Sequence, residues 1–217
     1  MDENFLLEKE RSQREIKFLV SQMKLNMKDK ILDVGCGQGR LTNRLSSLGY
    51  NVTGIDMDKN AIEIAKEYAK IHYLKTKYMD FDIRNSYLFE IKFNKIFLLY
   101  CYFNYKEDKQ VLLNIYNNLD SNGLLCFDLM NFNYKFEKFI PYNENALISE
   151  KNITSFQTIN FEKRKKFGNA EISEIVYDVF SVSSKFEDIS DILRNIGFKL
   201  IRVYSDWDFK RFLKFKS

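Results

Sequence analysis

The stretch Lys30–Arg40, with the sequence KILDVGCGQGR, decides the fold of this chain. A short apolar run leads into three glycines at alternate positions, and a helical pattern of leucines resumes directly afterwards. The chain of 217 residues has only eight glycines, so this cluster is informative. Glycine permits a tight turn and lets the backbone approach a ligand closely. The stretch therefore predicts a first strand that turns into a first helix, the place where open α/β sheets bind nucleosides.

The sequence up to residue 131 repeats this alternation of strand and helix. Strands are predicted at 30–34, 51–56, 96–100 and 124–127, with one more inside 72–81, and helices at 4–27, 41–48, 61–68 and 111–119. The unbroken apolar character of the later strands is typical of strands that are buried on both faces. Strands that alternate with helices of this length form a parallel sheet.

The pattern changes after Asn131. Residues 132–180 are polar and aromatic, with alternating stretches on either side of a basic tip at 163–169. This pattern predicts an antiparallel insertion over the ligand edge of the sheet. The last predicted elements are a helix at 184–197 and strands at 198–204 and 211–215. We expect a single domain over 1–217, with 132–180 as an inserted lid.

Composition limits the class of protein. The net charge of +4 is spread along the chain and does not by itself argue for nucleic acid. Three scattered cysteines, without the spacing of a metal site, predict neither a disulfide nor a bound metal. The charged first residues do not resemble a signal peptide, and no apolar run has membrane-spanning length. We therefore expect a cytoplasmic protein that makes no membrane contact and is a monomer or homodimer.

Two acidic residues narrow the class of ligand that the glycine cluster could bind. A dinucleotide fingerprint places its last glycine where this chain has Arg40. Asp33 precedes the cluster and disfavours a pyrophosphate, but it suits a cationic sulfonium ligand that carries an amino group. Asp56 ends the second strand, where a carboxylate accepts hydrogen bonds from ribose hydroxyls. A nicotinamide oxidoreductase is thereby disfavoured.

Several segments together carry a resemblance to a known family. The stretch Lys30–Arg40 resembles motif I of the class I S-adenosylmethionine-dependent methyltransferases, and 52–56 resembles the motif that follows it. Further segments are similar to one branch of the family that acts on small molecules, and they lie at 10–15, 82–84, 100–105, 197–198 and 205–208. The resemblance therefore covers nearly the whole chain.

The resemblance implies a fold and a cofactor. The fold is a Rossmann-like, mostly parallel sheet of seven strands in the order 3-2-1-4-5-7-6, flanked by helices. The cofactor is S-adenosylmethionine, and its product is S-adenosylhomocysteine. The implied cofactor-binding residues are Arg11, Asp33, Gly35, Cys36, Gly37, Gly39, Asp56, Met57, Asp82, Ile83 and Leu99.

Each part of the cofactor has implied partners in this set. Arg11 pairs with the methionine carboxylate, and Asp33 lies near the amino group. Asp56 binds the ribose hydroxyls, Met57 packs on the adenine, and Asp82 with Ile83 contacts the adenine edge. The three glycines line the methionine and ribose portion.

The acceptor is expected to enter over the end of the fourth strand. Aromatic rings there would form a wall that attracts a cation. The pocket residues that we predict are Tyr100, Tyr102, Asn104, Tyr105, Asn131, Asp206 and Trp207, with Tyr102, Tyr105 and Asp206 as the catalytic candidates and Asp206 or Asp208 as the proton acceptor. Plain core packing is the alternative for the tyrosines, and a solvated turn is the alternative for the two acids.

The function predicted from these residues is methyl transfer to nitrogen or oxygen of a small soluble acceptor. Because the sulfonium donor is already activated, alignment of the acceptor with the methyl group is a large part of catalysis. One alternative is an RNA or protein methyltransferase that uses the basic run Lys163–Lys166 beside two phenylalanines. Another is a non-catalytic subunit that binds S-adenosylmethionine.

Overall fold

A computed structural model of the protein describes residues 3–85, 89–101, 109–130, 156–163, 176–177 and 186–204. The helices are α1 (Glu3–Gln22), α2 (Arg40–Ser47), α3 (Lys59–Ile71), α4 (Lys109–Asn118) and α5 (Phe186–Ile196). The strands are β1 (Lys30–Val34), β2 (Asn51–Asp56), β3 (Lys77–Asp80), β4 (Phe93–Leu98), β5 (Leu119–Met130), β6 (Phe156–Lys163), β7 (Val176–Tyr177) and β8 (Phe198–Tyr204).

The first five strands form a parallel sheet in the order β3-β2-β1-β4-β5. The chain leaves β1 in one direction towards β2 and β3, and returns on the other side of β1 to form β4 and β5. The order of the strands therefore reverses at β1. Ligands of open α/β sheets bind at the carboxyl ends of the strands at such a point, and this part of the predicted fold is confirmed.

Helices cover both faces of the sheet. One core joins the sheet to α4 and α5, with residues such as Ile96, Phe127 and Leu193 in contact. A second core joins the opposite face to α1 and α2, with residues such as Leu19 and Phe97 in contact. Strand residues of adjacent number belong to opposite cores, as the two-residue period of a strand requires. In the part of the chain that the structure describes, no helix combines the length and apolar character of a membrane span.

The sheet beyond β5 differs from the predicted order. In the part of the chain that the structure describes, eight strands lie in the order β3-β2-β1-β4-β5-β6-β8-β7, and the strand next to β5 is β6 and not one of the last two predicted strands. β6 runs antiparallel to β5 over seven residue pairs, from Leu124↔Glu162 to Met130↔Phe156. β8 then pairs with β6. The segment 156–163, which we predicted within the lid, therefore extends the sheet.

Val176–Tyr177, also within the predicted lid, pair with β8 as β7, and the other residues of the predicted lid and the predicted strand at 211–215 lie outside the described residues. The alternation of apolar and polar residues at 155–159 correctly indicated a strand. It did not indicate the partner, because period alone does not say which edge a strand joins. A lid over the site stays a prediction.

Candidate active site

The glycine turn between β1 and α2 is held by main-chain hydrogen bonds to the next strand. The amides of Gly35 and Cys36 both donate to the carbonyl of Ile55, at 2.8 and 3.0 Å. All three glycines of the turn have positive φ, at 72° for Gly35, 52° for Gly37 and 79° for Gly39. These are left-handed conformations that residues with a Cβ rarely adopt. The sequence turns here because three closely spaced glycines adopt this left-handed backbone path without the strain that a Cβ would bring.

The glycines differ in what surrounds them. A Cβ on Gly35 would lie 2.1 Å from the sulfur of Cys101, and a Cβ on Gly39 would lie 2.3 Å from the hydroxyl of Tyr78. A Cβ on Gly37 would meet no atom within 4 Å. Gly35 and Gly39 are therefore packed against the protein, whereas Gly37 faces open space. Its backbone is the part of the turn that a ligand can approach.

Asp56 lies beside Gly37, at the carboxyl end of β2. Its Oδ2 accepts a hydrogen bond from the Gly37 amide at 2.7 Å. Its Oδ1 accepts one from the amide of Asp58 at 2.9 Å. An ionised carboxylate has about four acceptor positions. Each oxygen of Asp56 therefore keeps capacity for a further donor, such as a hydroxyl of a ligand.

Asp33 lies beneath the glycine turn and is buried. The hydroxyl of Thr42 donates to its Oδ2 at 2.5 Å. Burial raises the pKa of Asp33 to about 7, although the hydrogen bond from Thr42 works in the opposite direction. One oxygen of the Asp33 carboxyl group is therefore already bound to α2. Its predicted contact with an amino group stays a prediction.

Met57, Asp82 and Ile83 come together next to Asp56. The amide of Phe81 donates to the carbonyl of Asp56 at 2.8 Å, which joins the segment after β3 to the end of β2. Arg84 forms an ion pair with Asp82 at 2.7 Å, and the same guanidinium lies 3.6 Å from the sulfur of Met57. Hydrogen bonds from Arg84 lower the pKa of Asp82, which is therefore ionised.

A buried side chain of α4 holds this segment from below. The amide nitrogen of Asn114 donates to the carbonyls of Ile83, Arg84 and Asn85, at 2.7, 3.3 and 3.0 Å. Met57, whose sulfur lies 3.6 Å from the Arg84 guanidinium, is 65% exposed. An exposed methionine over a fixed turn offers an apolar platform. This is the position predicted for adenine.

Glu15 of α1 is fully buried and gathers three partners at the other end of the site. Its Oε1 accepts hydrogen bonds from Arg11 at 2.9 Å and from the hydroxyl of Tyr100 at 2.5 Å. Its Oε2 forms an ion pair with Arg40. Burial of a carboxylate is costly unless it is paired in this way. The cluster ties α1 to α2 and to the segment that follows β4.

The ring of Tyr100 faces two cations of the protein itself. The guanidinium carbon of Arg11 lies 4.2 Å from the ring centroid, and that of Arg40 lies 5.5 Å from it. We predicted an aromatic wall that attracts a cation from the acceptor. Among the described residues, Arg11 and Arg40 already lie over the ring of Tyr100.

The backbone of Tyr100 is unusual and is held by Asp128. Tyr100 has φ of 59°, which is uncommon for a residue with a Cβ. Its amide donates to Oδ1 of Asp128 at 2.8 Å. Asp128 lies near the carboxyl end of β5 and is buried. The hydrogen bond fixes the exit of the chain from β4 beside the end of β5.

The two cysteines near the site are packed. The sulfur of Cys101 lies 3.3 Å from the carbonyl of Val34 and 3.6 Å from that of Gly35. Burial raises the pKa of both Cys36 and Cys101 far above the ordinary range, so both remain thiols at neutral pH. Neither has the thiolate character of a nucleophile.

The predicted cofactor residues fall into groups. The glycine turn, Asp56, Met57 and the segment at 82–83 line one continuous edge. The side chain of Leu99, in contrast, is buried in the core against α1 and α2, so any contact it makes with a ligand is through its backbone. Arg11 points to Glu15, and its predicted contact with a carboxylate stays a prediction.

Most of the predicted acceptor pocket lies outside the described residues. This set consists of Tyr102, Asn104, Tyr105, Asn131, Asp206, Trp207 and Asp208. Their roles stay predictions.

The sequence analysis assigned no role to Glu15, although it lies in the segment 10–15 that carries the resemblance, and it did not single out Asp128. A signal for each existed in the sequence. Glu15 stands four residues after Arg11 on a helix whose neighbouring positions, such as Ile16 and Leu19, are apolar. Asp128 is a single acid in the apolar run that ends β5, in the same way as Asp33 in β1. A lone charge in a buried strand or helix face indicates a specific partner.

Comparisons with known proteins find similar sequences and folds. A family model described as a methyltransferase domain matches residues 31–123. A ubiquinone biosynthesis O-methyltransferase of Rickettsia typhi is 26% identical over 206 residues, which are 91% of this chain and 78% of the relative.

Two solved structures share the fold over almost the whole chain. An S-adenosylmethionine-dependent methyltransferase from Clostridium acetobutylicum has a TM-score of 0.64 at 19% identity, covering 94% of this chain and 87% of its own. A TehB-like methyltransferase from Corynebacterium glutamicum has a TM-score of 0.59 at 19% identity, covering 93% and 82%.

Proposed function

Since the chain belongs to the class I S-adenosylmethionine-dependent methyltransferases, we propose that it transfers a methyl group to nitrogen or oxygen of a small soluble acceptor. The enzyme uses S-adenosylmethionine as its methyl donor. The observation that carries the proposal is the pairing of a ligand-accessible glycine turn with Asp56 at its edge. What we propose is the class of acceptor and the residues that contact the donor and the acceptor.

The described residues fit this cofactor. Gly37 leaves open space at the turn, and Asp56 keeps acceptor capacity for two ribose hydroxyls. Met57 offers an apolar surface for adenine, and the partly exposed carboxylate of Asp82 offers a polar group for its edge. The cofactor supplies an activated methyl group, so the protein has to orient the acceptor and remove its proton.

The names of the relatives support the acceptor class, and the exit of the chain from β4 supports the position of the acceptor. The similar proteins of Rickettsia typhi and Rickettsia prowazekii are named as O-methyltransferases of ubiquinone biosynthesis. This supports a small acceptor with a hydroxyl group. We propose that the acceptor binds where the chain leaves β4, next to Tyr100 and the end of β5, because this edge adjoins the glycine turn.

Calorimetry of S-adenosylhomocysteine binding tests the cofactor residues. Asp56→Ala should weaken binding by about tenfold or more, equivalent to about 1.4 kcal/mol. Asp80→Ala is the matched control. Asp80 is the register neighbour of Asp56 on β3, and its carboxylate faces the exposed Lys59 instead of the turn. Equal affinity for the wild type and Asp56→Ala would remove Asp56 from the site.

A screen of acceptors tests the substrate class. Phenols, catechols and amines are incubated with the enzyme and labelled S-adenosylmethionine, with RNA and a protein extract in parallel. Transfer to a small molecule supports the proposal. Transfer to RNA alone, weakening steeply as salt increases, would identify an RNA methyltransferase instead.

A further inference from the structure

One carboxyl oxygen of Asp128 accepts no hydrogen bond from the residues that the structure describes. Its side chain is only 4% exposed. Oδ1 accepts the hydrogen bond from the Tyr100 amide, whereas Oδ2 has no hydrogen-bond partner among the residues that the structure describes. A buried polar atom without a partner is costly, and each such atom in a native protein calls for an explanation. A donor from a bound molecule is one such explanation.

Asp128 is connected to the carboxyl edge of the sheet, where we place the methyl donor and the acceptor; we call this the reaction edge. Its Oδ1 binds the backbone of Tyr100, and the next residue, Cys101, lies against the carbonyls of Val34 and Gly35. Asp128 is therefore linked to the glycine turn through two consecutive residues. It also lies near the carboxyl end of β5, beside the exit from β4 where we place the acceptor.

The neighbouring carboxylates in the described structure are already engaged. Both oxygens of Glu15 are bound, to Arg11, Tyr100 and Arg40. Asp33 is bound to Thr42 beneath the turn. Asp128 is the carboxyl group at this edge that keeps a whole oxygen for a ligand.

The charges around Asp128 suit exchange of a proton near neutral pH. Burial raises its pKa to about 7, and the negative charge of Glu15 acts in the same direction. The Tyr100 amide and the positive charge of Arg11 act in the opposite direction. The thiol of Cys101 lies nearby and stays protonated because its own pKa is raised by burial. A base is most effective when its pKa is near the working pH.

We propose that Asp128 accepts the proton that the acceptor loses during methyl transfer, an inference that rests on the proposed function. The acceptor's lone pair forms the new bond to the methyl carbon, and the carbon–sulfur electron pair leaves with sulfur. The proton of the acceptor N–H or O–H passes to Oδ2 of Asp128. The carboxylate becomes a carboxylic acid as the sulfonium becomes a neutral thioether, so the charges balance.

Asp128→Asn is the first test, because asparagine keeps an oxygen for the Tyr100 amide but cannot accept the proton. With an acceptor from the screen, kcat of the wild type should rise with pH and level off above about pH 7. In the variant, kcat should fall by about a hundredfold or more, and the inflection should disappear. Affinity for S-adenosylhomocysteine should change by less than about twofold, which also reports that the variant is folded.

Asp120→Asn is the matched control on the same strand. Asp120 lies at the opposite end of β5, where its carboxylate accepts a hydrogen bond from Asn94. This variant should keep both kcat and the inflection. A variant Asp128→Asn that retains wild-type kcat and the inflection would overturn the proposal. Methylation of no small acceptor by the wild type would instead overturn the proposed function.

A second measurement needs no acceptor. Carbon NMR of the full chain with labelled aspartate, assigned through the bonds of the backbone, follows the Asp128 carboxyl in the wild type. The proposal requires a titration midpoint near the pKa of about 7 that its burial gives. A carboxyl that stays ionised down to about pH 5, close to the ordinary range of aspartate, would exclude the proposed role.

Discussion

The two sides of the reaction edge are built from different parts of the chain. At the glycine turn, β1 and β2 are joined by main-chain groups, as when the amides of Gly35 and Cys36 bind the carbonyl of Ile55. At the exits of β4 and β5, side chains from α1, α2 and β5 meet around Tyr100. The first side depends on backbone conformation, and the second depends on buried charge. Substitutions should therefore damage the two sides by different mechanisms.

Gly35→Ala should have the largest effect, on the side that depends on backbone. Its Cβ would lie 2.1 Å from the Cys101 sulfur, and its φ of 72° is unfavourable for alanine. Left-handed strain and overpacking together predict a loss of about 4 kcal/mol in the free energy of unfolding. Urea unfolding followed by circular dichroism measures this loss.

Gly37→Ala is the control for the same turn. It has a positive φ of 52°, but its Cβ would meet no atom within 4 Å. We expect a smaller loss of stability, about 1 kcal/mol, and a clear weakening of S-adenosylhomocysteine binding because the Cβ would occupy the ligand's space. Equal stability losses for the two alanine variants would contradict the difference in packing.

Glu15→Ala should have the next largest effect, on the side that depends on charge. It removes the shared partner of Arg11, Arg40 and Tyr100. Loss of one partner of a buried ion pair typically costs about 3 kcal/mol or more, although both arginines are about one-third exposed and water will reduce the penalty. Thermal and urea unfolding measure the change.

Glu63→Ala is the corresponding control on a surface. Glu63 forms an ion pair with Lys66 on α3, where both side chains are largely exposed. Such pairs contribute about 0.5 kcal/mol or less. If the two glutamate variants lost similar stability, the cluster around Glu15 would not be the tie between α1 and the sheet.

The side that depends on backbone was also the side that sequence could predict. β1 was predicted with its observed bounds, and the turn was predicted from the spacing of Gly35, Gly37 and Gly39. Local sequence suffices there, because positive φ is a property of single residues. The five-stranded parallel order followed from the alternation of strands and helices together with the family resemblance.

The other side could not be predicted in the same way. Tyr100 binds Glu15 across 85 residues of sequence, and its amide binds Asp128 across 28. No period or spacing in one sequence indicates such pairs. The predicted strand at 96–100 also came three residues late, because β4 begins at Phe93 and ends at Leu98. Leu99 and Tyr100 continued the apolar pattern past the true end, and the polar residues Asn94 and Lys95 hid the true start.

The buried acids Asp33 and Asp128, one on each side, should make the protein sensitive to pH. The pKa of each is raised to about 7, above its value of about 4 in the unfolded chain. Between these values the folded state binds more protons, so stability falls as pH rises from about 4 to about 7, by up to about 1.4 kcal/mol per pH unit for each group.

Asp33→Asn and Asp128→Asn isolate this effect. The free energy of unfolding of the ligand-free wild type, minus that of each variant, should decrease as pH rises through this window. It should become constant only above about pH 8, a unit or more beyond the folded pKa, where the folded carboxyl is almost fully ionised. Urea titrations at several pH values give the difference. A difference that increases with pH would mean that the carboxyl is ionised in the fold and stabilised by its partners.

Tyr100→Phe should have the smallest effect. It separates the contribution of the Tyr100 hydroxyl to stability from that of the ring. Phenylalanine loses the hydroxyl that binds Glu15 but keeps a ring beneath Arg11, whose guanidinium lies 4.2 Å from the centroid. Glu15 retains both arginines, so we expect a loss of about 1 kcal/mol in the free energy of unfolding. Tyr100→Leu should lose more, because it removes the ring that attracts the cation. If Tyr100→Phe were as damaging as Glu15→Ala, the hydroxyl, and not the arginines, would be the contact that holds the buried Glu15 side chain in place.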